Sequence, residues 1–310
     1  MKNNLSIRIL TILIYLLINK ASYGAESFTF LVTEINVLEN GNKIIGSNRG
    51  IIKSDSNIFI EADEFEYDKI KNILKTNGNV KIENILNKDI IFSDEAIYSK
   101  YEEKITTNGN SKFLNNNLII EADNFSYQKK NKIINAKKNV RIIDRVNNSI
   151  VHANNVTYNK NKELIYSKGP THAIIDEKYN LTSFDIELDR NNQILKSKYK
   201  TKIITKKNEE YNFKKFIYEF KNEILKAEDV NIISDNSKPL GNQNNLKFSS
   251  GIFDLKNQSF VAGKTLVLFR TTTSPSSKKS IISLNKICSI VCSFLFNNIN
   301  LLSSLSSDGY

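Results

Sequence analysis

The chain of 310 residues has few of the residues that usually carry catalysis or bind metals. It contains two histidines, two cysteines, one methionine and no tryptophan. It also lacks a cysteine pair at zinc spacing, a Gly-x-Ser-x-Gly motif and a glycine loop that could cradle phosphate. We therefore expect a protein that is not an enzyme and that holds no metal and no other cofactor.

Proline and cysteine are too scarce to shape the fold. Only three prolines are available to interrupt strand pairing. No cysteine occurs between Ala25 and Phe269, so disulfides cannot stabilise that part of the chain. Its stability must come from strand pairing and from packing of the 40% hydrophobic residues.

Positive charge is in excess, with 44 lysines and arginines, 33 acidic residues and a net charge of +11. A clustered excess would indicate nucleic acid or an anionic membrane as a partner. The lysines are instead spread along the chain among abundant asparagine and isoleucine, as an AT-rich coding sequence would give. We expect no nucleic-acid partner.

The first 24 residues have the three parts of a secretory signal peptide. Lys2 and Arg8 form the basic region, Ile9 to Ile18 the apolar run, and Ser22-Tyr23-Gly24 the small-residue site. The apolar run of about ten residues is shorter than the roughly twenty that an uncleaved membrane anchor needs. We predict export with cleavage before Ala25.

A short segment recurs along the chain and indicates an internal repeat. Ile60 to Tyr67 reads IEADEFEY, and sixty residues later Ile120 to Tyr127 reads IEADNFSY. A weaker copy at Ile91 to Tyr98 reduces the period to about thirty residues. We interpret the equivalent aromatic or aliphatic positions as Tyr67, Tyr98, Tyr127, Tyr158, Leu188, Phe220 and Leu255.

Apolar and polar residues alternate within each copy, which is the period of a β-strand. Phe65 and Tyr67 alternate with acidic residues, and the step from Ala62 to Phe65 changes the inward parity. An extra residue in a bulge or corner produces such a change. A polar turn at 68–72 leads to a second strand, with Asn77-Gly78-Asn79 as a turn or bulge.

One unit therefore holds about two strands, and helical periodicity is absent between Ala25 and Phe269. We predict an all-β fold, an elongated antiparallel β-jellyroll or solenoid of about thirty-residue repeats. It occupies residues 45–265, after a lead-in segment at 25–44. A β-sandwich of unrelated strands is the alternative.

Residues 266–310 differ from the rest because serine and threonine dominate and acidic residues almost vanish. We expect a poorly ordered tail. Loss of the coding frame near residue 266 would also produce it, and a corrected gene sequence that reads the same tail would exclude that origin.

Two kinds of residue resemble catalytic groups. The carboxylates Glu61 and Asp63 look like an acid–base pair, but they recur once per unit, which indicates an architectural role. His152 and His172 are interpreted as solvent-facing strand residues. A polysaccharide-acting enzyme is thus a weaker alternative, which loss of glycan hydrolysis on removal of Glu61 and Asp63 would support.

The inward side chains could serve either as a closed core or as an apolar trough for acyl chains, with the charged headgroup in water. Unpaired strand edges at both ends could accept strands of another chain. The groove candidates are Ile58, Ile60, Ala62, Phe65, Tyr67, Val80, Ile82, Leu118, Ile120, Ala122, Phe125, Tyr127, Val140 and Ile142.

The pattern Ile-x-Ala-Asp-x-Phe-x-Tyr, followed by a turn and Gly-Asn-Val, resembles the OstA-like (organic solvent tolerance-like) domain of the lipopolysaccharide transport family. Residues 60–82 and 120–142 carry the resemblance best, and it covers roughly residues 45–265. This domain occurs as a free periplasmic bridge protein and as the N-terminal periplasmic part of the outer-membrane lipopolysaccharide-assembly protein.

The resemblance implies a β-jellyroll whose hydrophobic groove carries lipid A acyl chains across the periplasm. It also implies edge-to-edge contact with neighbouring jellyrolls of the same pathway. The segment Phe248 to Phe269 is more similar to the assembly protein than to the bridge. The sequence leaves open a free bridge, a split subunit or a truncated copy, and an exported structural or adhesive β-solenoid remains the alternative function.

Overall fold

The computed structural model describes residues 28–54, 57–233, 245–254, 256–257, 259–263 and 265–268. The predicted signal peptide and Leu255 lie outside these residues. So does the predicted tail, apart from 266–268 in the last strand.

The described chain folds almost entirely into strands, which join into one antiparallel sheet of 21 strands. The prediction of an all-β fold is confirmed. Among the described residues, no helix is long and apolar enough to cross a membrane. A 3-10 turn at Glu39–Gly41 links β1 to β2.

The strands of the first half are β1 (Phe28–Leu38), β2 (Lys43–Ser54), β3 (Ile58–Ala62), β4 (Glu64–Asp68), β5 (Ile73–Asn84), β6 (Asp89–Ser99), β7 (Lys104–Asn115), β8 (Leu118–Gln128), β9 (Ile133–Asp144), β10 (Ser149–Asn159) and β11 (Leu164–Ile175). Those of the second half are β12 (Tyr179–Phe184), β13 (Ile186–Asp189), β14 (Ile194–Ser197), β15 (Thr201–Thr205), β16 (Glu210–Phe213), β17 (Lys215–Glu219), β18 (Ile224–Ile233), β19 (Asn245–Asp254), β20 (Ser259–Ala262) and β21 (Thr265–Leu268).

Each long strand bends in its middle, and the bends divide the sheet into two layers. β3 pairs with the end of β5, whereas β4 pairs with its beginning. We call the layer that contains β3 layer A and the layer that contains β4 layer B. The bends form the corner between the layers, and the opposite margins, where the turns lie, form the rim.

The corner is built by residues in the left-handed backbone region. Gly78 has φ +76° and Asn79 φ +47°, and the pairing of β5 with β6 shifts between Asn77 and Val80. The Asn79 side chain donates a 2.7 Å hydrogen bond to Asp63, which lies between β3 and β4. The predicted change of parity is thus confirmed, and Asn77-Gly78-Asn79 is a bulge within one strand.

Buried hydroxyls line the inner side of the corner. The hydroxyl oxygens of Thr107 and Ser111 are 2.7 Å apart, and so are those of Ser167 and Thr171 in a later unit. Thr171 also donates to the carbonyl of Gly169, at 3.0 Å. These hydroxyls satisfy backbone groups that the bend removes from the strand ladder.

The hydrophobic core lies between the layers and continues from unit to unit. Aromatic side chains from both layers meet across it, with ring centroids 6.3 Å apart for Phe113 and Tyr158. β1, in the predicted lead-in segment, pairs with β2 and contributes to this core. Its Phe30 stacks on Phe65 with a centroid distance of 5.3 Å.

Two equivalences from the sequence are wrong, those at Phe220 and Leu255. Leu188 pairs with Leu195, and Leu195 pairs with Tyr218, so Tyr218 occupies the repeat position that was assigned to Phe220. Phe220 lies beyond the end of β17. Phe216, Tyr218 and Phe220 lie two residues apart and share one face of a strand, so the sequence alone allows either Tyr218 or Phe220 at the repeat position. The corner between β16 and β17 lies where Tyr218 takes that position. Tyr218 pairs with Leu225 and Leu225 pairs with Phe253, so Phe253 occupies the repeat position that was assigned to Leu255.

Candidate functional site

All of the groove candidates lie in the interior between the layers. The most exposed of them, Tyr67 and Ala122, show only 7% of their surface to solvent. Residues of the weaker repeat copy, such as Ile91 and Phe113, lie between the groove candidates of the first copy (58–82) and those of the later copy (118–142). All of them belong to one core. Their inward orientation agrees with the sequence pattern, whereas a role in lipid binding stays a prediction.

A row of tyrosines lines the interior on the layer B side, close to the rim. Tyr67 donates a 3.0 Å hydrogen bond to Asn72, and Tyr158 donates a 2.8 Å bond to Glu163. Burial raises the pKa of Tyr127 to about 12, and the nearby Asp89 carboxylate acts in the same direction. Tyr127 therefore stays uncharged at neutral pH. The tyrosines of the row place their apolar rings inside and their hydroxyls toward the rim.

A basic residue lies two positions after each of Tyr98, Tyr127 and Tyr158, and likewise two positions after Leu188. Lys100, Lys129, Lys160 and Arg190 are each the first residue after a layer B strand segment, and we call them the rim cations. Their backbone N–H groups donate to carbonyls in the turn of the preceding unit, at 2.9 to 3.0 Å. This shared contact gives the rim cations equivalent places in successive units.

Three rim cations lie over aromatic rings of the interior. The Lys100 ammonium is 5.1 Å from the centroid of the Phe28 ring, and the Lys160 ammonium is 5.7 Å from that of Phe113. Lys129 lies 5.0 Å from the Tyr98 ring and donates a 2.8 Å hydrogen bond to its hydroxyl. The cations therefore fold over the interior rather than extend into solvent.

Two rim cations form ion pairs that cross from layer B to layer A. Lys160 pairs with Asp89, which also accepts a 2.7 Å hydrogen bond from Asn115. Arg190 pairs with Asp144, with Nε 2.9 Å from Oδ2, and also with Glu163. These contacts tie the two layers together at the rim.

The sequence reading missed the rim cations, although it had selected the row beside them. The signal is a Tyr-x-Lys spacing that recurs at Tyr98, Tyr127 and Tyr158, with Leu-x-Arg at Leu188. Lys69 has the same spacing from Tyr67, but its side chain is exposed. Spacing alone therefore does not show which cations turn inward.

The residues that resembled catalytic groups lie on the outside of the layers. The carboxylates of Glu61 and Asp63 both form ion pairs with the Arg49 guanidinium, with nitrogen–oxygen distances of 3.3 and 3.2 Å. His152 and His172 are cross-strand partners with ring centroids 6.2 Å apart. In the part of the chain that the structure describes, no cluster of three or more potential metal ligands occurs.

Comparison with known proteins identifies the domain. Residues 59–164 match the family model described as LptA/(LptD N-terminal domain) LPS transport protein. Among solved structures, a similar one is LptH, the LptA homologous periplasmic component of the lipopolysaccharide transport device from Pseudomonas aeruginosa. That match has 11% identity and a TM-score of 0.34, and it covers 36% of this chain and 83% of LptH. No curated protein matches the chain.

The family match spans the copies of the repeat on which the sequence resemblance depends. It includes the whole of the copy at residues 60–82 and the whole of the copy at 120–142. The resemblance is thereby confirmed, and residues 59–164 form an OstA-like domain of the lipopolysaccharide transport family.

Proposed function

We propose that the protein is a periplasmic, non-enzymatic module that binds lipopolysaccharide and passes it toward the outer membrane. In this proposal the lipid A acyl chains lie between layers A and B, shielded from water. The observation that carries it is the continuous apolar interior of the family-matched units. Removing acyl chains from water is favourable in proportion to the apolar area buried.

The shape of the interior suits an elongated amphiphile. In layer A, β2, β3 and β5 to β11 follow one another through antiparallel pairs. Neighbouring strands lie about 4.8 Å apart, so these strands give an interior roughly 40 Å long. Their alternating side chains present an apolar surface along this length.

Loading requires the two layers to separate, because their own side chains fill the interior. The layers are joined at the corner by continuous strands and at the rim by side-chain contacts such as the ion pairs of Lys160 and Arg190. Separation at the rim breaks fewer backbone hydrogen bonds than separation at the corner. Lipid therefore enters along the rim, and the corner serves as the hinge.

The terminal strands suit edge-to-edge contact with another jellyroll. Within the described residues, β1 pairs on one side only, with β2. It exposes Leu31 by 60% and Val37 by 58%, and at the other end of the sheet Val261 is 74% exposed. Unpaired main-chain groups beside exposed apolar side chains favour addition of a strand from a second chain.

Photocrosslinking in a Gram-negative cell tests the proposed function. A photoreactive residue at Phe125 or Tyr127 should form lipopolysaccharide adducts, and one at outward-facing Glu121 should not. Absence of adducts at the two inward positions, in a folded protein, would favour the closed structural solenoid. Adducts of equal yield at all three positions would indicate surface adsorption.

A further inference from the structure

We propose that the rim cations bind the phosphorylated headgroup of an amphiphile whose chains lie between the layers. The headgroup replaces Asp89 as the anionic partner of Lys160 and Asp144 as that of Arg190. This inference rests on the proposed function. It adds a headgroup site, with Lys100, Lys129, Lys160 and Arg190 as ligands, and a reason for the layers to open when the ligand arrives.

The first support is the place of these cations at the boundary between the interior and solvent. Each ammonium of the three lysines lies within 5.7 Å of the centroid of an interior aromatic ring. A headgroup bound there leaves the chains attached to it directed between the layers. The site therefore has the polarity that an amphiphile needs, with charge at the rim and apolar surface beneath.

The second support is the spacing along the rim. The cations occupy equivalent places in successive units, and each unit contributes two strands. Two strand spacings put neighbouring cations roughly 10 Å apart. A row of this kind can hold more than one phosphate of a large headgroup, or pass one phosphate from unit to unit.

The third support is the pair of carboxylates that face the row. Asp89 and Asp144 are buried and belong to layer A, whereas Lys160 and Arg190 belong to layer B. The carboxylates keep other donors: Asp89 accepts from Asn115, and Asp144 accepts from Asn147 at 2.8 Å. Exchange of the cation from carboxylate to phosphate leaves these hydrogen bonds in place, and it removes the ion pairs that hold the rim closed.

Binding to two forms of one lipid tests the site. The ligands are purified lipopolysaccharide and the same preparation with its lipid A phosphates removed. The variants are Lys129→Gln and the double variant Asp89→Asn with Lys160→Gln, which leaves no buried unpaired charge. Lys138→Gln, at the exposed corner, is the control for net charge.

We expect the wild-type protein to bind the phosphorylated form about tenfold more tightly or better, since hydrogen bonds between charged groups are the stronger class. Each rim variant should lose about tenfold for that form and little for the dephosphorylated form. The control should match the wild type. Inorganic phosphate should displace the lipid only far above the lipid's own concentration.

Equal affinity for both lipid forms in the wild type, unchanged in the rim variants, would overturn the headgroup site and leave the proposed function standing. Failure of both forms to bind would overturn the proposed function and the headgroup site with it. Displacement by inorganic phosphate at the concentration of the lipid would assign the cations to free phosphate, against the proposal.

Discussion

Arg190 reaches from the end of β13 in layer B to Asp144 at the end of β9 in layer A, with Nε 2.9 Å from the carboxylate Oδ2. The two residues are 46 positions apart in the chain. Asp144 is only 1% exposed, and it also accepts a 2.9 Å hydrogen bond from the backbone of Val146. This ion pair joins the two layers at the rim.

Removal of one partner of this pair should destabilise the fold strongly. Arg190→Gln leaves the buried Asp144 without a cation, which we expect to cost about 3–5 kcal/mol of unfolding free energy. The double variant with Asp144→Asn should recover most of that loss, because no uncompensated charge remains. Denaturant unfolding of the three proteins measures both effects. Equal losses in the single and double variants would show that the ion pair does not couple the layers.

Polar substitution inside the layers should abolish lipid loading. Phe125→Glu or Ile120→Asp places a carboxylate where acyl chains would lie, and burial of an unpaired charge is strongly unfavourable. Ser126→Glu makes a similar change at the next residue, which faces outward, and should leave loading intact. Circular dichroism establishes folding before lipopolysaccharide binding is measured. Folded variants that still bind lipopolysaccharide normally would show that the groove assignment is wrong.

The corner should tolerate a side chain poorly at Gly78. This residue has φ +76°, and an added Cβ would lie 2.6 Å from an Asp63 carboxylate oxygen. Gly78→Ala should therefore cost about 1–3 kcal/mol of unfolding free energy. Gly169, with φ +90° and open space around it, is the matched control for backbone strain alone. A loss in Gly169→Ala as large as that in Gly78→Ala would exclude a role for the Asp63 contact.

His152 should make stability fall in acid. Burial lowers the pKa of His152, and the positive charges of His172 and Arg141 act in the same direction. A folded-state pKa below the unfolded value of about 6.5 means that protonation favours the unfolded state. The contribution is complete above that value and declines as pH falls through the folded-state pKa. His152→Gln should flatten the dependence of unfolding free energy on pH between about 7 and 5; an unchanged slope would contradict this.

Charge on the outer edge of β1 should reduce association between jellyrolls. The double variant Leu31→Lys with Val37→Lys adds two lysines to an edge strand, and lysines on edge strands oppose further pairing. Sedimentation of the purified chain should show association at higher concentration than for the wild type. Ile70→Lys, in an exposed turn, is the control. Association that is insensitive to the β1 variant would place the contact elsewhere.

The strand pattern, the corner and the inward-facing side chains could be predicted from the sequence, because each depends only on residues close together in the chain. Side chains alternate in a strand with period two, so Phe65 and Tyr67 had to share a face. The change of parity after Ala62 required one extra residue, which the bulge at the corner supplies. The recurrence of this pattern then fixed the repeat and its family.

Only the tertiary structure decided what closes the rim and which register the later units adopt. The ion pair of Lys160 with Asp89 joins residues 71 positions apart, and no local periodicity reports such a contact. Tyr218 and Phe220 are both aromatic and share a parity, so pairing with β14 chose between them. Local sequence determines which face of a strand is apolar, whereas long-range pairing determines what that face meets, because it depends on residues far away in the chain.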